Sequence, residues 1–567
     1  MTRFITTLFA FALSCMGMWA DTATSADNAV SQELVMLNHW DNLDGTIERG
    51  YAGKSIFWNH GGVDAELIKE YGKRNQEYGI TATVLNNVNA SPKILNKEYL
   101  DTVKVYADIL RAYNIKVYLS VNFASPMVLS KGKLKNADPL NPQVQKWWAK
   151  KVKEIYRMIP DFGGFLVKAN SEGQPGPCDY GRSHAEGANM LAKALQPYKG
   201  LVIWRAFVYS SNDQDRAKQA YNEFVGLDGQ FMDNVIIQIK NGPVDFQPRE
   251  PISPLFFAMP KTKVMAELQI TQEYLGHSNH LVYLAPMWEE FKELLTSTSA
   301  KVNLVGYAGV SNIGLGTAKD HKPFTGNVIA DENWRAFGNI ANGKEAKLPK
   351  DLAFLSNSRE ACVNYMMPLG LHHLFAWGHH YGPQPWCYVK GGREDWFPSY
   401  YHKADAKGIG FDRTVATGSG ATAQYPQPYK AEYEDLDSCL EDYILWFHHV
   451  AWDYTRKWCN GKRETLWDHL CHHYQMGVDA AMVQVLKAEK AGRTDLLQNL
   501  KTQEADAAWW RDACLLYFQT FSKLPIPNDV EKPTKTLDFY KSVNLGISNY
   551  ECPSHELLNT KRPGTSH

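Results

Sequence analysis

Eight short apolar runs, each closed by polar residues and spaced by helical patterns, constrain this chain more than any other feature. Leu34–Leu37 runs into Asn38-His39-Trp40-Asp41-Asn42, Ile80–Leu85 into Asn86-Asn87-Val88-Asn89, and Ile115–Val121 into Asn122-Phe123. Phe165–Val167 runs into Lys168, Leu201–Trp204 into Arg205, and Val235–Ile239 into Lys240. Val264–Ile270 runs into Thr271-Gln272-Glu273, and Leu304–Val310 into Ser311-Asn312. Continuous apolar runs of this length read as strands buried on both faces. Between them, Ala65–Glu77, Glu98–Tyr113, Gln143–Met158, His184–Leu195, Asp213–Phe224 and Met287–Thr296 carry apolar residues at helical spacing. The alternation predicts an α/β chain with a (β/α)8 TIM barrel over residues 34–341. Polar residues follow the strands rather than precede them, and in such a barrel the C-terminal ends of the strands carry the chemistry.

From about residue 342 the alternation stops. Residues 377–428 read as loop, dense in Gly, Pro and aromatic residues. Three long helical patterns follow, Tyr433–Arg456, Glu464–Ala491 and Leu496–Phe521, so 342–567 is expected to be a loop-rich segment plus a mainly α-helical C-terminal domain. At the other end, Arg3 precedes an apolar run from Phe4 to Met18 that closes near Ala20. Residues 1–20 have the form of a secretory signal peptide, too short for a spanning helix. A polar segment, 21–33, leads into the first strand. Leu13-Ser14-Cys15 is a weak lipoprotein cleavage pattern, which leaves anchoring open beside periplasmic or secreted export.

Net charge is −1, which gives no electrostatic footprint for nucleic acid. Nine cysteines make no CxxC pair, and in a chain with a large core they read as free thiols rather than a disulfide framework. The aromatic fraction of 12% offers ring faces of the kind that stack on sugars, and equally serves to fill a large core. His372-His373, His379-His380, His448-His449 and His472-His473 are adjacent pairs that diverge on a helix, so no metal site is read from them.

Three carboxylates stand at strand ends: Glu172 in Gly163–Pro177, Asp245 after the sixth strand and Glu273 after the seventh. Acids facing one barrel mouth repel one another, which favours one of them staying protonated. A protonated acid beside an ionised one is the requirement of glycoside hydrolysis. Lys168, Arg205 and Lys240 each end a strand in the same ring. Three cations against three acids imply a further anion from the ligand, and a substrate carboxylate fits. Trp40 stands where it would wall that pocket.

Three long motifs carry a family resemblance. Gly163-Gly164-Phe165-Leu166-Val167-Lys168-Ala169-Asn170-Ser171-Glu172-Gly173-Gln174-Pro175-Gly176-Pro177 is one. Ile239-Lys240-Asn241-Gly242-Pro243-Val244-Asp245-Phe246-Gln247-Pro248-Arg249-Glu250 and Glu267-Leu268-Gln269-Ile270-Thr271-Gln272-Glu273-Tyr274 are the others. In this order they resemble the xylan-debranching α-glucuronidases of glycoside hydrolase family sixty-seven. The resemblance implies an inverting hydrolase that removes α-1,2-linked glucuronic acid, or its 4-O-methyl ether, from the terminal xylose of xylo-oligosaccharides. It implies Glu172 as general acid, and Asp245 and Glu273 as the acids that hold and activate water, without saying which is the base. It implies Lys168, Arg205 and Lys240 around the uronic acid, Trp40 as an aromatic wall, no cofactor or metal, and a homodimer through the C-terminal domain. Members of the family usually carry a β-sandwich-like domain before the barrel, and here that domain is expected to be absent. A barrel glycosidase for another uronic acid, and a non-catalytic carbohydrate-binding relative, remain the alternatives.

Overall fold

The computed structural model describes residues 34–48, 53–59, 61–207, 216–243, 246, 250–270, 275, 280–315, 324–366, 413–416, 420–435, 455–457 and 463–521. The eight expected strands are present: β1 (Leu34–His39), β2 (Ala82–Val84), β3 (Lys116–Ser120), β4 (Gly164–Val167), β5 (Leu201–Arg205), β6 (Val235–Lys240), β7 (Val264–Gln269) and β8 (Leu304–Ser311). They form one closed barrel in sequence order. All neighbours are parallel, and β1 pairs with β8 from Leu34↔Gly306 to His39↔Ser311. The crossovers carry α1 (Ala65–Glu77), α2 (Lys97–Arg111), α3 (Pro142–Met158), α4 (His184–Leu195), α5 (Arg216–Phe224), the short helix Leu255–Ala258, and α6 (Ala285–Thr296). The helix α7 (Val328–Ala341) follows β8.

Strand side chains alternate between the faces, and that parity builds the barrel. Val35 and Leu37, Val202 and Trp204, and Ile237 and Ile239 point into the shell shared with the helices. Met36, Val84, Tyr118, Leu166, Ile203, Ile236, Met265 and Ala308 point inward and form a separate apolar plug. Continuing the inward parity two residues on from Met36, Leu166, Ile203, Ile236 and Met265 reaches Asn38, Lys168, Arg205, Gln238 and Glu267. An apolar layer therefore supports a polar one. Gly164 lets β4 and β5 close up: its φ is +139°, and a Cβ there would lie 1.9 Å from the Leu201 carbonyl oxygen.

Further helices among the described residues are α8 (Ser358–Met366), the short helix Tyr429–Glu434, α9 (Leu466–Lys490) and α10 (Leu497–Phe521). Gly477 of α9 lies so close to α8 that a Cβ would meet the Tyr365 nitrogen at 2.5 Å. His280, between β7 and α6, joins these helices to the barrel through Nδ1 to Tyr365 Oη at 2.8 Å and Nε2 to Asp506 Oδ2 at 2.9 Å.

Several local readings change. Thr455 and Arg456, placed at the end of a helix by the sequence, belong to a strand, Thr455–Lys457, paired antiparallel to Arg463–Thr465, and α9 begins at Leu466 rather than Glu464. The register pairs Thr455 with Thr465, Arg456 with Glu464 and Lys457 with Arg463. The α7 and α8 helices were not read from the sequence. In α7 the buried Asn333 interrupts the apolar period, and it is spent on tertiary bonds to Leu284 N and Val282 O. Residues 1–33, most of 377–428 and residues 436–454 lie outside the described residues. Among the described cysteines, Cys362 is buried, Cys471 intermediate and Cys178 exposed, and Cys178 and Cys362 are free thiols. His473 hydrogen-bonds Asn364 Oδ1 at 2.8 Å, while the other three histidine pairs lie outside the described residues.

Candidate active site

Trp40, Lys168, Glu172, Arg205 and Lys240 line one cleft at the C-terminal ends of the strands. Glu48, Asn87, Val88, Asn89 and Phe207 complete its described wall. Asp245 and Glu273 lie outside the described residues.

Each cation is placed by strand parity and then held by neighbours. Arg205 and Lys240 end β5 and β6, and Lys168 follows β4. All three are at least nine-tenths buried. They surround one ring: Lys240 Nζ lies 3.6 Å from the Phe207 centroid, the Arg205 guanidinium 4.9 Å and Lys168 Nζ 5.3 Å. Phe246 adds a second face 4.3 Å from Lys240 Nζ. The negative ring face makes this crowding of cations less costly, and the acids Glu48 and Glu172 line the same cleft. Burial pulls the Lys168 ammonium below the usual lysine range, and the Arg205 charge adds to that against the opposing pull of Glu172.

Glu267 compensates part of this charge. Its carboxylate is buried and accepts from Arg205 Nε at 2.8 Å, from Arg205 Nη2, and from Gln238 Nε2 at 2.5 Å. Gln238 Oε1 in turn accepts from Asn38 Nδ2 at 3.1 Å. Burial opposes ionisation of Glu267, yet the charges of Arg205 and Lys240 and these hydrogen bonds outweigh it, holding the carboxyl below the usual range. The sequence reading missed Glu267 because it sits inside an apolar run rather than at its end. The inward parity from Met265 would have found it.

Glu172 sits on a loop made rigid by local bonds. Lys168 Nζ donates to Glu172 Oε2 and, at 3.0 Å, to Asn89 Oδ1. Asn170 and Glu172 have φ of +51° and +48°, values that non-glycine residues rarely adopt. Asn170 Oδ1 accepts from Cys178 N at 2.9 Å, Asn170 Nδ2 donates to Asp179 Oδ1 at 2.8 Å, and Gly176 N donates to Asp179 Oδ2 at 3.0 Å. A Cβ on Gly176 would lie 1.9 Å from Asn170 Oδ1, so the Gly-Pro sequence here is a packing requirement. Glu172 remains partly exposed, open to a ligand.

Trp40 and Glu48 are joined through the backbone, Glu48 N donating to Trp40 O at 2.9 Å. Glu48 Oε2 accepts from Asn87 Nδ2 at 2.6 Å and Asn89 Nδ2 at 3.0 Å. No periodic signal marks Glu48, since it lies on a loop. The arrangement brings a carboxyl group, an aromatic ring, side-chain amides and a cation cluster to one cleft. It can bind a sugar acid and place an acid beside its glycosidic oxygen.

Residues 19–334 match the family model of the glycosyl hydrolase family 67 middle domain, and residues 332–531 match that family's C-terminus. The alpha-glucuronidase of Hypocrea jecorina is 37% identical over 594 residues, covering 93% of this chain and 68% of that protein. Alpha-glucuronidase A of Emericella nidulans is 38% identical over 560 residues, covering 88% of this chain and 64% of that protein. This chain thus spans about two thirds of the length of these relatives.

Proposed function

The chain belongs to glycosyl hydrolase family 67, and on that premise we propose that it is an inverting α-glucuronidase. Its substrate is α-1,2-linked glucuronic acid, or the 4-O-methyl ether, on the terminal xylose of xylo-oligosaccharides from xylan. One observation carries this reading: three buried cations gathered on Phe207 face a carboxylic acid in a single cleft. That arrangement suits an anionic sugar and acid-assisted departure of its leaving oxygen.

Glu172 is the general acid. Lys168, Arg205 and Lys240 bind the uronic carboxylate, Trp40 walls the sugar ring, and the Asn87–Asn89 loop with Glu48 reads its hydroxyls. Asp245 and Glu273 are assigned to the attacking water, and inversion requires an acid–base separation of about 6.5–9.5 Å. The free enzyme places an ammonium against Glu172, which favours the ionised carboxylate. A substrate carboxylate that pairs with Lys168 competes with Glu172 for its ammonium.

We further propose export and self-association. Exposed Met476, Met482, Val483 and Leu486 on α9 support an interface between helical domains. Among the described residues, no helix is long and apolar enough to cross a membrane.

The test uses the full chain with aldotetraouronic acid and with the corresponding α-galacturonide. Release of glucuronic acid, and a fall in kcat of about 10²–10⁴-fold in folded Glu172→Gln, is expected. Release only from the galacturonide would reassign the substrate, and binding of either without release would favour a carbohydrate-binding role.

A further inference from the structure

On the outer wall of the barrel, the charge of one helix sets it apart. The α3 helix has five cations, Lys146, Lys150, Lys151, Lys153 and Arg157, against one acid, Glu154, a net +4. By the same count α1, α2 and α4 are each balanced, α5 is +1, α6 is −2 and α7 is −1. The whole chain is −1, so the excess on α3 is local. While Val144, Trp148, Val152 and Ile155 face the barrel, Lys146, Lys150, Lys153 and Arg157 follow one another at steps of four, three and four residues. That spacing gathers them within about 60° of the helix circumference. All four are exposed, and none makes an ion pair among the described residues.

Acids on the flanking elements are engaged elsewhere. Glu154 pairs with Lys151 at 2.9 Å, Asp161 with Arg111 at 2.6 Å, and Asp138 with Arg182 at 3.1 Å. Glu186 of α4 bonds to Ser183 N at 2.8 Å, and on α2 Asp101 pairs with Lys97 and Asp108 with Lys104 and Arg111. Glu98 is the one α2 acid without an ion pair among the described residues. Like charges three and four residues apart repel, so the stripe weakens the helix, and only Arg157, in the last turn, complements the helix dipole. An aromatic ring borders it. Tyr198, in the turn after α4, stacks on Tyr156 of α3 with centroids 4.4 Å apart and planes at 7°. Tyr156 is buried, whereas Tyr198 is 37% exposed and Lys199 beside it is exposed as well. At the other end, α3 begins on the side of the barrel mouth, where β3 ends, and Lys131, Lys133 and Lys135 are exposed on the loop between them.

We propose that the exposed face of α3, with Tyr198, is a surface binding site for a polysaccharide that carries uronic acids. This rests on the α-glucuronidase reading of the cleft, under which the polymer that yields the substrate is a polyanion built of pyranoses. The lysines meet its carboxylates as point charges and Arg157 as a two-pronged donor. The Tyr198 ring, backed by Tyr156, packs against the C–H face of a sugar. The loop lysines extend the positive field toward the mouth, so a chain held on the outer wall keeps the enzyme where its substrate is released.

The experiment is affinity electrophoresis of the full chain in native gels containing glucuronoxylan or neutral arabinoxylan, over rising NaCl. Binding is measured in the Glu172→Gln background so that the polymer is not cleaved, alone and with Lys150→Gln/Lys153→Gln, Lys146→Gln/Arg157→Gln or Tyr198→Ala, each checked for an unchanged Tm. Glucuronoxylan should retard the chain, and salt should release it. Each cation removed should weaken binding about fivefold, as for basic residues at an anionic surface, so either double variant should lose about 25-fold. Tyr198→Ala should weaken binding at every salt concentration, and in the otherwise wild-type enzyme all these changes should leave kcat/KM on aldotetraouronic acid unchanged. No retardation, equal retardation by arabinoxylan, or variants that bind as before would overturn the site. Retardation abolished by saturating aldotetraouronic acid would place the binding in the cleft, and tighter binding of duplex DNA would make the stripe a general polyanion surface; either overturns the proposal. If wild type releases no uronic acid from aldotetraouronic acid, the α-glucuronidase reading fails. Salt-sensitive retention by glucuronoxylan that the variants lose would still uphold the surface site, and its absence would refute it.

Discussion

Glu267→Gln removes one charge from the centre of the polar layer while keeping the side chain's shape. In the wild type the carboxylate is 1% exposed and meets the 3% exposed Arg205 through two hydrogen bonds. Breaking a buried ion pair by removing one partner costs about 3–5 kcal/mol. The amide retains one acceptor for Arg205, which argues for the lower end, about 3 kcal/mol. A barrel of roughly 300 residues has an unfolding entropy near 0.6 kcal/mol/K, so Tm should fall by about 5 °C. The pH dependence gives a sharper check. The folded carboxyl is held below its unfolded value of about 4.3, so its stabilisation is complete above that pH and is lost as pH falls through the folded value. The Tm gap between wild type and Glu267→Gln, followed by circular dichroism, should be constant from about pH 7 to pH 5 and shrink below about pH 4. No gap at neutral pH, or a gap that widens on acidification, would refute the assignment of Glu267 as the ionised partner of Arg205.

Gly176→Ala should cost kcat more than stability. The new Cβ would collide with Asn170 Oδ1 and displace the loop that presents Glu172, so steady-state kinetics should show a fall of about tenfold or more with Tm little changed. Asp41→Asn should stabilise increasingly as pH rises. The folded Asp41 carboxyl titrates at about 8, above its unfolded value, so it costs the wild type stability as pH rises from about 4 to about 8. An amide carries no such cost, and Tm measured from pH 5 to pH 8 should favour the variant progressively.

The barrel was legible because parallel strands buried on both faces appear as unbroken apolar runs. Lys168, Arg205 and Lys240 were legible because each ends such a run, where charge is conspicuous. Glu267 and Gln238 were hidden inside runs of the same kind, and only the inward parity set by the plug of Met265 and Ile236 separates them from their apolar neighbours. Phe207 reads as one more core aromatic until three cations are seen on its face. Glu48 comes to the cleft through a backbone bond to Trp40, a loop closure with no periodic trace. Thr455 and Arg456 were read as helix because the strand they begin is defined by pairing with Arg463–Thr465, which local spacing does not report.

The most direct test of the central claim is the configuration of the sugar acid at the moment of release. Proton NMR of aldotetraouronic acid with the full chain, read before mutarotation, should show the β-anomer of the free uronic acid first. Its appearance would establish an inverting α-glucuronidase, with water delivered opposite Glu172. The α-anomer appearing first would mean retention, and would contradict the assignment of Asp245 and Glu273 to the attacking water.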